Sequence, residues 1–244
     1  MSRRIIHIAL LSLLFVSYSF AQNDSVAPAK AKAHPAIYQG TILKLDIASS
    51  VLVPATTKWK MQHYEIAANV RLKNRFYPTL ELGYAGGMDT QGDTVTYNGK
   101  GGFVRLGCDI NPLKKRPESP HALLLGIRIG TAVQGYEQDA SRESVDNAFS
   151  YDTGMKIYRS AVKADCWGEI VVGCQVEIVS GKKPVAKGQQ PMALYMGWMG
   201  RLKILFTREK EGLLAEDMGP IYIPGFGSRD NISWGFSYHI GWRF

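Results

Sequence analysis

Bulky apolar residues recur at every second position over most of this chain, and that period of two limits what it can fold into. The last twelve residues, SWGFSYHIGWRF, set Trp234, Phe236, Tyr238, Ile240, Trp242 and Phe244 against Ser233, Gly235, Ser237, His239, Gly241 and Arg243. Seven further segments carry the pattern: 40–52, 61–73, 76–85, 102–110, 122–134, 166–179 and 192–206. In the second, Tyr64, Ile66, Ala68, Val70 and Leu72 alternate with His63, Glu65, Asn69 and Arg71. Each of these segments exceeds the usual soluble strand of about five or six residues. They suit a tilted strand crossing a bilayer, which takes about 9–11.

Soluble sandwiches and lipocalin-like barrels also alternate, with the apolar face turned inward. Here one face is bulky almost throughout, and the other mixes charges with Gly, Ser and Ala. Small and charged residues inside, with bulky residues outside, is the pattern of a membrane barrel. The expected fold is all-β: an eight-stranded antiparallel transmembrane up-and-down β-barrel over residues 40–244. The connections alternate in length. Asn74-Arg75, 111–120 and 180–190 lie on one side; an eight-residue link, 86–101, 135–165 and 207–232 lie on the other. Short periplasmic turns and long outer loops are expected of such a barrel. Pro78 costs a ladder hydrogen bond but falls near the start of its strand, where the loss is most tolerable.

The chain begins Met1-Ser2-Arg3-Arg4, continues apolar to Phe20 and reaches a small-x-small site at Ser19-Phe20-Ala21. This reads as a signal peptide over 1–21, followed by a flexible Ala/Pro/Lys leader over 22–39. The apolar run is short for a helix spanning a bilayer. Export leaves the net charge of +8 without a nucleic-acid partner to explain it. Cys108, Cys166 and Cys174 fit neither a disulfide framework nor a zinc site and read as small apolar side chains.

An eight-stranded barrel is just wide enough for side chains to fill it. The inward positions hold Lys44, Arg71, Arg105, Arg128, Arg201, Lys203 and Arg243 against Asp46, Glu65, Glu81, Asp109, Glu169 and Glu177. Such a balance suits an internal salt-bridge network better than a selective pore, which favours one sign. The expectation is a plugged scaffold rather than a small-solute channel, with no cofactor or metal.

The chain resembles the small outer-membrane β-barrels of Gram-negative bacteria, of the OmpA/OmpX type, over about residues 40–244. The most specific marker is the last strand, aromatic or apolar at alternate positions and closing on Phe244. The FAQ at the cleavage site and the long final loop also resemble uncharacterised outer-membrane barrel families of gut and oral anaerobes. The resemblance implies outer-membrane localisation, contact with lipid and lipopolysaccharide, a monomer, and Phe244 as the signal read by the assembly machinery. The fold itself does not name an activity, since adhesins, lipid-modifying enzymes and structural anchors share it.

Some barrels of this kind modify lipid A with Ser, His and an acid. The corresponding weak candidates are His239, Ser237, His63 and Glu65, and a mid-lumen His such as His239 reads first as a hydrogen-bonded interior residue. The loop stretches 135–160 and 207–231 each carry five acids and three bases. They suggest a surface receptor or adhesin with an extracellular ligand, or simply solvated loops. A short helix is expected over 208–218. The basic turns at Lys114-Lys115-Arg116 and at Lys182, Lys183 and Lys187 would face anionic headgroups or water. A structural or surface-interaction role leads, ahead of a lipid-modifying enzyme and a soluble barrel for a hydrophobic ligand.

Overall fold

The computed structural model describes residues 38–57, 60–73, 75–91, 95–113, 119, 121–142, 155–184, 191–207, 222–228 and 230–244. The signal peptide, most of the leader, the 208–218 helix and the 114–116 turn lie outside them. So do Lys187 and the side chains of Lys182 and Lys183.

Among the described residues ten strands follow in order: β1 (Tyr38–Asp46), β2 (Met61–Leu72), β3 (Phe76–Gln91), β4 (Val95–Ile110), β5 (Ala122–Arg142), β6 (Met155–Pro184), β7 (Pro191–Leu205), β8 (Tyr222–Ile223), β9 (Gly227–Ser228) and β10 (Ile232–Arg243). Eight close an antiparallel barrel in the order β1-β10-β7-β6-β5-β4-β3-β2, while β8 and β9 form a separate two-stranded ribbon. The seam joins the first strand to the last. Thr41 N–H donates to the Phe244 carbonyl at 3.2 Å, and Phe244 N–H donates to the Thr41 carbonyl at 3.1 Å. Tyr38 and Phe244 therefore share one end of the barrel, the terminal end; the opposite end is the far end.

The alternation resolves into two faces. Outward lie Leu43, Leu45, Ile66, Leu80, Leu82, Leu106, Ile170 and Phe236, all exposed, with Ile127 at 70% and Trp234 at 78%. Inward lie the buried charges, among them Lys44, Glu65, Glu81, Arg105, Arg128 and Arg201. Inward glycines leave room for large neighbours. A Cβ on Gly130 would overlap the Trp167 indole, one on Gly107 the Arg128 side chain, and one on Gly83 the Phe103 ring. The pairing of β2 with β3 runs from Met61 opposite Gly87 to Asn69 opposite Thr79, lapses opposite Pro78, and resumes at Leu72 opposite Phe76. The missing proline N–H thus falls in the terminal half of β3, where a gap in the ladder is tolerated.

Three expectations are corrected. The first strand stops at Asp46 rather than Leu52; a π-helical turn (Ala48–Leu52) and α1 (Val53–Thr56) follow. The Asp46 carboxylate accepts from Ser49 N–H at 3.3 Å and Ser49 Oγ at 2.6 Å, an Asx-type interaction that favours a turn over a strand. Pro54 suits the first turn of a helix. Second, the four middle strands run well past the predicted segments at the far end. Gln91 lies opposite Val95 and Arg142 opposite Met155, where loops over 86–101 and 135–165 were expected. Third, Cys174 is buried, although the alternation put it on the outward face; it lies opposite the larger Trp198. All three cysteines are free.

Replacing Gly130 by valine forces a side chain into the Trp167 ring, and overpacking of this kind costs about 1–3 kcal/mol. The urea midpoint of the folded barrel is expected to fall by a matching amount; an unchanged midpoint would contradict the packing.

Candidate functional site: the filled lumen and its mouth

Six strands carry charges of both signs to one level of the lumen. Glu65 on β2 and Glu81 on β3 meet Arg105 on β4, Arg128 on β5, Glu169 on β6 and Arg201 on β7. Glu81 is the hub: its oxygens lie 2.9 Å from Arg105 Nη1, 3.1 Å from Arg128 Nη1 and 2.6 Å from Arg201 Nη1. Arg105 also reaches Glu65 at 2.9 Å and Glu169 at 2.9 Å. Arg201 reaches Glu65 at 2.9 Å and Glu169 at 3.2 Å. Arg128 holds Asp109 through Nη2 at 2.9 Å. These groups are buried, so each is held by opposite charge rather than by water.

On the terminal side of this layer is an apolar cluster of Tyr77, Ala122, Leu124, Val171 and Met199. Beyond it Arg243 Nη2 pairs with Glu177 Oε2 at 3.1 Å, and the Tyr195 hydroxyl donates to Glu177 at 2.8 Å and also meets Arg243. Arg71 Nη2 donates to the Ser119 carbonyl at 3.1 Å. Lys44 is buried near His239, and among the described residues Lys44 Nζ and His239 Nε2 lack hydrogen-bond partners. Both line a cavity of about 10 Å³, close to the space one water needs.

The far end is closed from within. In the β8–β9 ribbon, Ile223 and Phe226 are fully buried and pack with Phe103, Ala132, Trp167 and Leu205. The Phe226 ring lies edge-on to Trp167 at 5.8 Å. Arg105 Nη2 and Lys203 Nζ each donate to the Gly225 carbonyl at 2.7 Å, and Lys203 donates to the Phe226 carbonyl at 3.1 Å. Above the ribbon, the Tyr97 hydroxyl donates to the Tyr222 carbonyl at 3.1 Å, and Tyr97 stacks on Tyr136. Burial pushes the Tyr222 phenol up to about 12, keeping it protonated. Part of the final connection, expected as a surface loop, is therefore a stopper. The stretch YIPGFGS forms it: Gly225 has φ +76° and its carbonyl meets two lumen cations, while Phe226 fills the mouth.

Among the described residues no hydrogen bond joins the four weak catalytic candidates. Arg201 holds Glu65 through Nη2 and donates from Nε to Ser237 Oγ at 3.2 Å. The arginine thus engages both the acid and the hydroxyl. His239 packs against Gly197, and His63 lies against Phe103 with ring centres 5.5 Å apart. A nucleophile activated by a base requires direct contact between the two, and this arrangement has none.

A family model described as Domain of unknown function (DUF6048) matches residues 1–243, and the chain belongs to that family. A search of curated proteins finds no match.

Replacing Glu81 by Gln leaves three buried guanidinium groups short of a carboxylate. Breaking a buried pair in this way costs about 3–5 kcal/mol. The urea midpoint should fall accordingly, and a Glu81→Gln barrel as stable as the parent would contradict the hub assignment.

Proposed function

We propose that this DUF6048 chain is an integral outer-membrane β-barrel with a sealed lumen, and that its role is structural or surface-interacting, carried by the far end. One observation carries the reading: exposed bulky apolar residues surround a closed barrel whose charges are turned inward. Water would favour the reverse arrangement. A lipid phase accepts the apolar face, and a closed barrel leaves no strand edge along most of its circumference.

In this reading residues 1–21 are a cleaved signal peptide and the leader ends in the periplasm at the terminal end. The far end faces outward. Trp234 and Trp242 lie near opposite ends of β10, at the two interfacial levels where aromatic girdles form. Phe244 is the recognition signal for the assembly machinery. Outer-membrane lipid and lipopolysaccharide are the immediate partners of a monomer, with an extracellular ligand held by the far-end connections.

The layered filling argues against a conduit. A channel needs a continuous polar path, whereas here an apolar cluster, a paired charge layer and the ribbon stopper succeed one another. Two measurements test the proposal. Carbonate-washed membranes should retain the protein, and recovery in the soluble fraction would overturn the membrane assignment. Planar bilayers containing the purified chain should show no steady conductance, and a large persistent one would overturn the sealed lumen.

A further inference from the structure

The barrel wall has one weak sector. β1 pairs with β10 only as far as Asp46 opposite His239, and with β2 only as far as Leu45 opposite Ile66. Beyond those pairs, residues 232–238 of β10 and 61–65 of β2 have no strand between them among the described residues. The helical stretch 48–56 lies there instead, against both. The Tyr238 N–H, which points toward β1, is taken by Asp46 Oδ1 at 3.2 Å. By the alternation of an antiparallel strand, the peptide groups of Trp234 and Phe236 also face this gap. A peptide group facing lipid hydrocarbon without a partner costs several kcal/mol, so this sector favours polar neighbours of the kind Asp46 supplies.

A cavity of about 190 Å³ runs through this sector. Its walls include lumen residues (His63, Arg201, Lys203, Ser237) and two outward-facing ones, Trp234 and Phe236. It therefore reaches from the lumen to the β10 wall at Trp234 and Phe236, with Ser49 and Val53 of the helical stretch on its other side. Arg105 and Arg201 are committed to carboxylates, but the Lys203 amino group has only the two ribbon carbonyls among its described hydrogen-bond partners. It lies against the wall of β10: a Cβ on Gly235 would come within 3.0 Å of Lys203 Nζ. His63 Nε2 has no hydrogen-bond partner among the described residues. Ser49 adds a hydroxyl from the helical stretch. Directly below, on the outer face, an apolar groove of about 590 Å³ runs over Leu45, Ile66, Ala68, Ile240 and Trp242.

We propose that this cavity binds an outer-leaflet lipid bearing a phosphate, with the phosphate at Lys203 and His63 and an acyl chain in the groove along β1. The inference rests on the membrane reading above. The two cavities supply the two halves of an amphiphile in the right vertical order: donors at the level of Trp234, then apolar surface toward the terminal end. A soluble phosphate would leave the groove unused, and a neutral lipid would leave the Lys203 amino group without its anion.

The test uses the full mature chain refolded in neutral detergent and native mass spectrometry. The probes are phosphatidic acid, diacylglycerol of the same acyl composition, and inorganic phosphate. One molecule of phosphatidic acid should bind at least about tenfold more tightly than diacylglycerol, an energy difference of roughly 1.4 kcal/mol. Lys203→Gln should remove that preference and Lys203→Arg should keep it. Because Lys203 also holds the ribbon, Gly235→Val serves as a second variant that narrows the cavity from the wall; it should weaken phosphatidic acid binding while the folded band survives on unheated gels. Equal binding of both lipids, full preference in both Lys203→Gln and Gly235→Val, or inorganic phosphate binding as tightly as phosphatidic acid would each overturn the proposal. Vesicle flotation of the same preparation separates the two readings. A chain that floats without discriminating lipids overturns this inference alone, and one that fails to float overturns the membrane reading.

Discussion

Glu81 and its three arginines are the interaction on which the arrangement depends. Arg105, Arg128 and Arg201 arrive from three different strands, and each finds this carboxylate within 3.1 Å. Without inward charges that neutralise one another, the same strands could not turn their apolar side chains outward. Register carries the pattern around the barrel, since a slip of one residue in any strand would exchange its two faces. The pairing also fixes a unique lumen. Each guanidinium has a set of carboxylates that no neighbouring register would offer.

Lumen volume follows from the same constraint. Eight strands leave room for one layer of large side chains at each level, and the glycines decide where they fit. Gly107 admits Arg128, Gly130 admits Trp167, and Gly235 admits Lys203. The remaining opening, at the far end, is filled by backbone rather than by a further charge pair. The Gly225 carbonyl receives Arg105 and Lys203, so the ribbon serves as hydrogen-bond acceptor for cations that the hub leaves partly unsatisfied. Electrostatics and closure are thus coupled through two side chains.

Much of this was legible in the sequence, and the physical reasons for the rest are specific. Where an outward apolar face and a lumen face alternate, the period of two is strong, and the eight barrel strands stand out from it. Toward the far end of β3–β6 the apolar half of the pattern fades, so TYNG and YEQD read as loops although the ladder continues through them. The turn into helix after Asp46 depended on one side chain, since Ser49 alone gives little warning of it. Twelve of the thirteen charges named from alternation are buried and Glu177 is half-buried, but their partners were not legible, because partners on β3 and β7 are far apart in the chain. The ribbon was missed for the opposite reason: seven residues rich in Gly, Pro and aromatics carry no period at all.

The central claim is the inversion itself, lipid outside and charge inside, and quenching of single tryptophans by brominated lipid reads it most directly. Trp234 is 78% exposed on the outer face, and Trp167 is fully buried in the lumen at the level of the stopper. In vesicles brominated along the acyl chains, a variant retaining only Trp234 should lose fluorescence. A variant retaining only Trp167 should keep it. Quenching of Trp167, or protection of Trp234, would contradict the account.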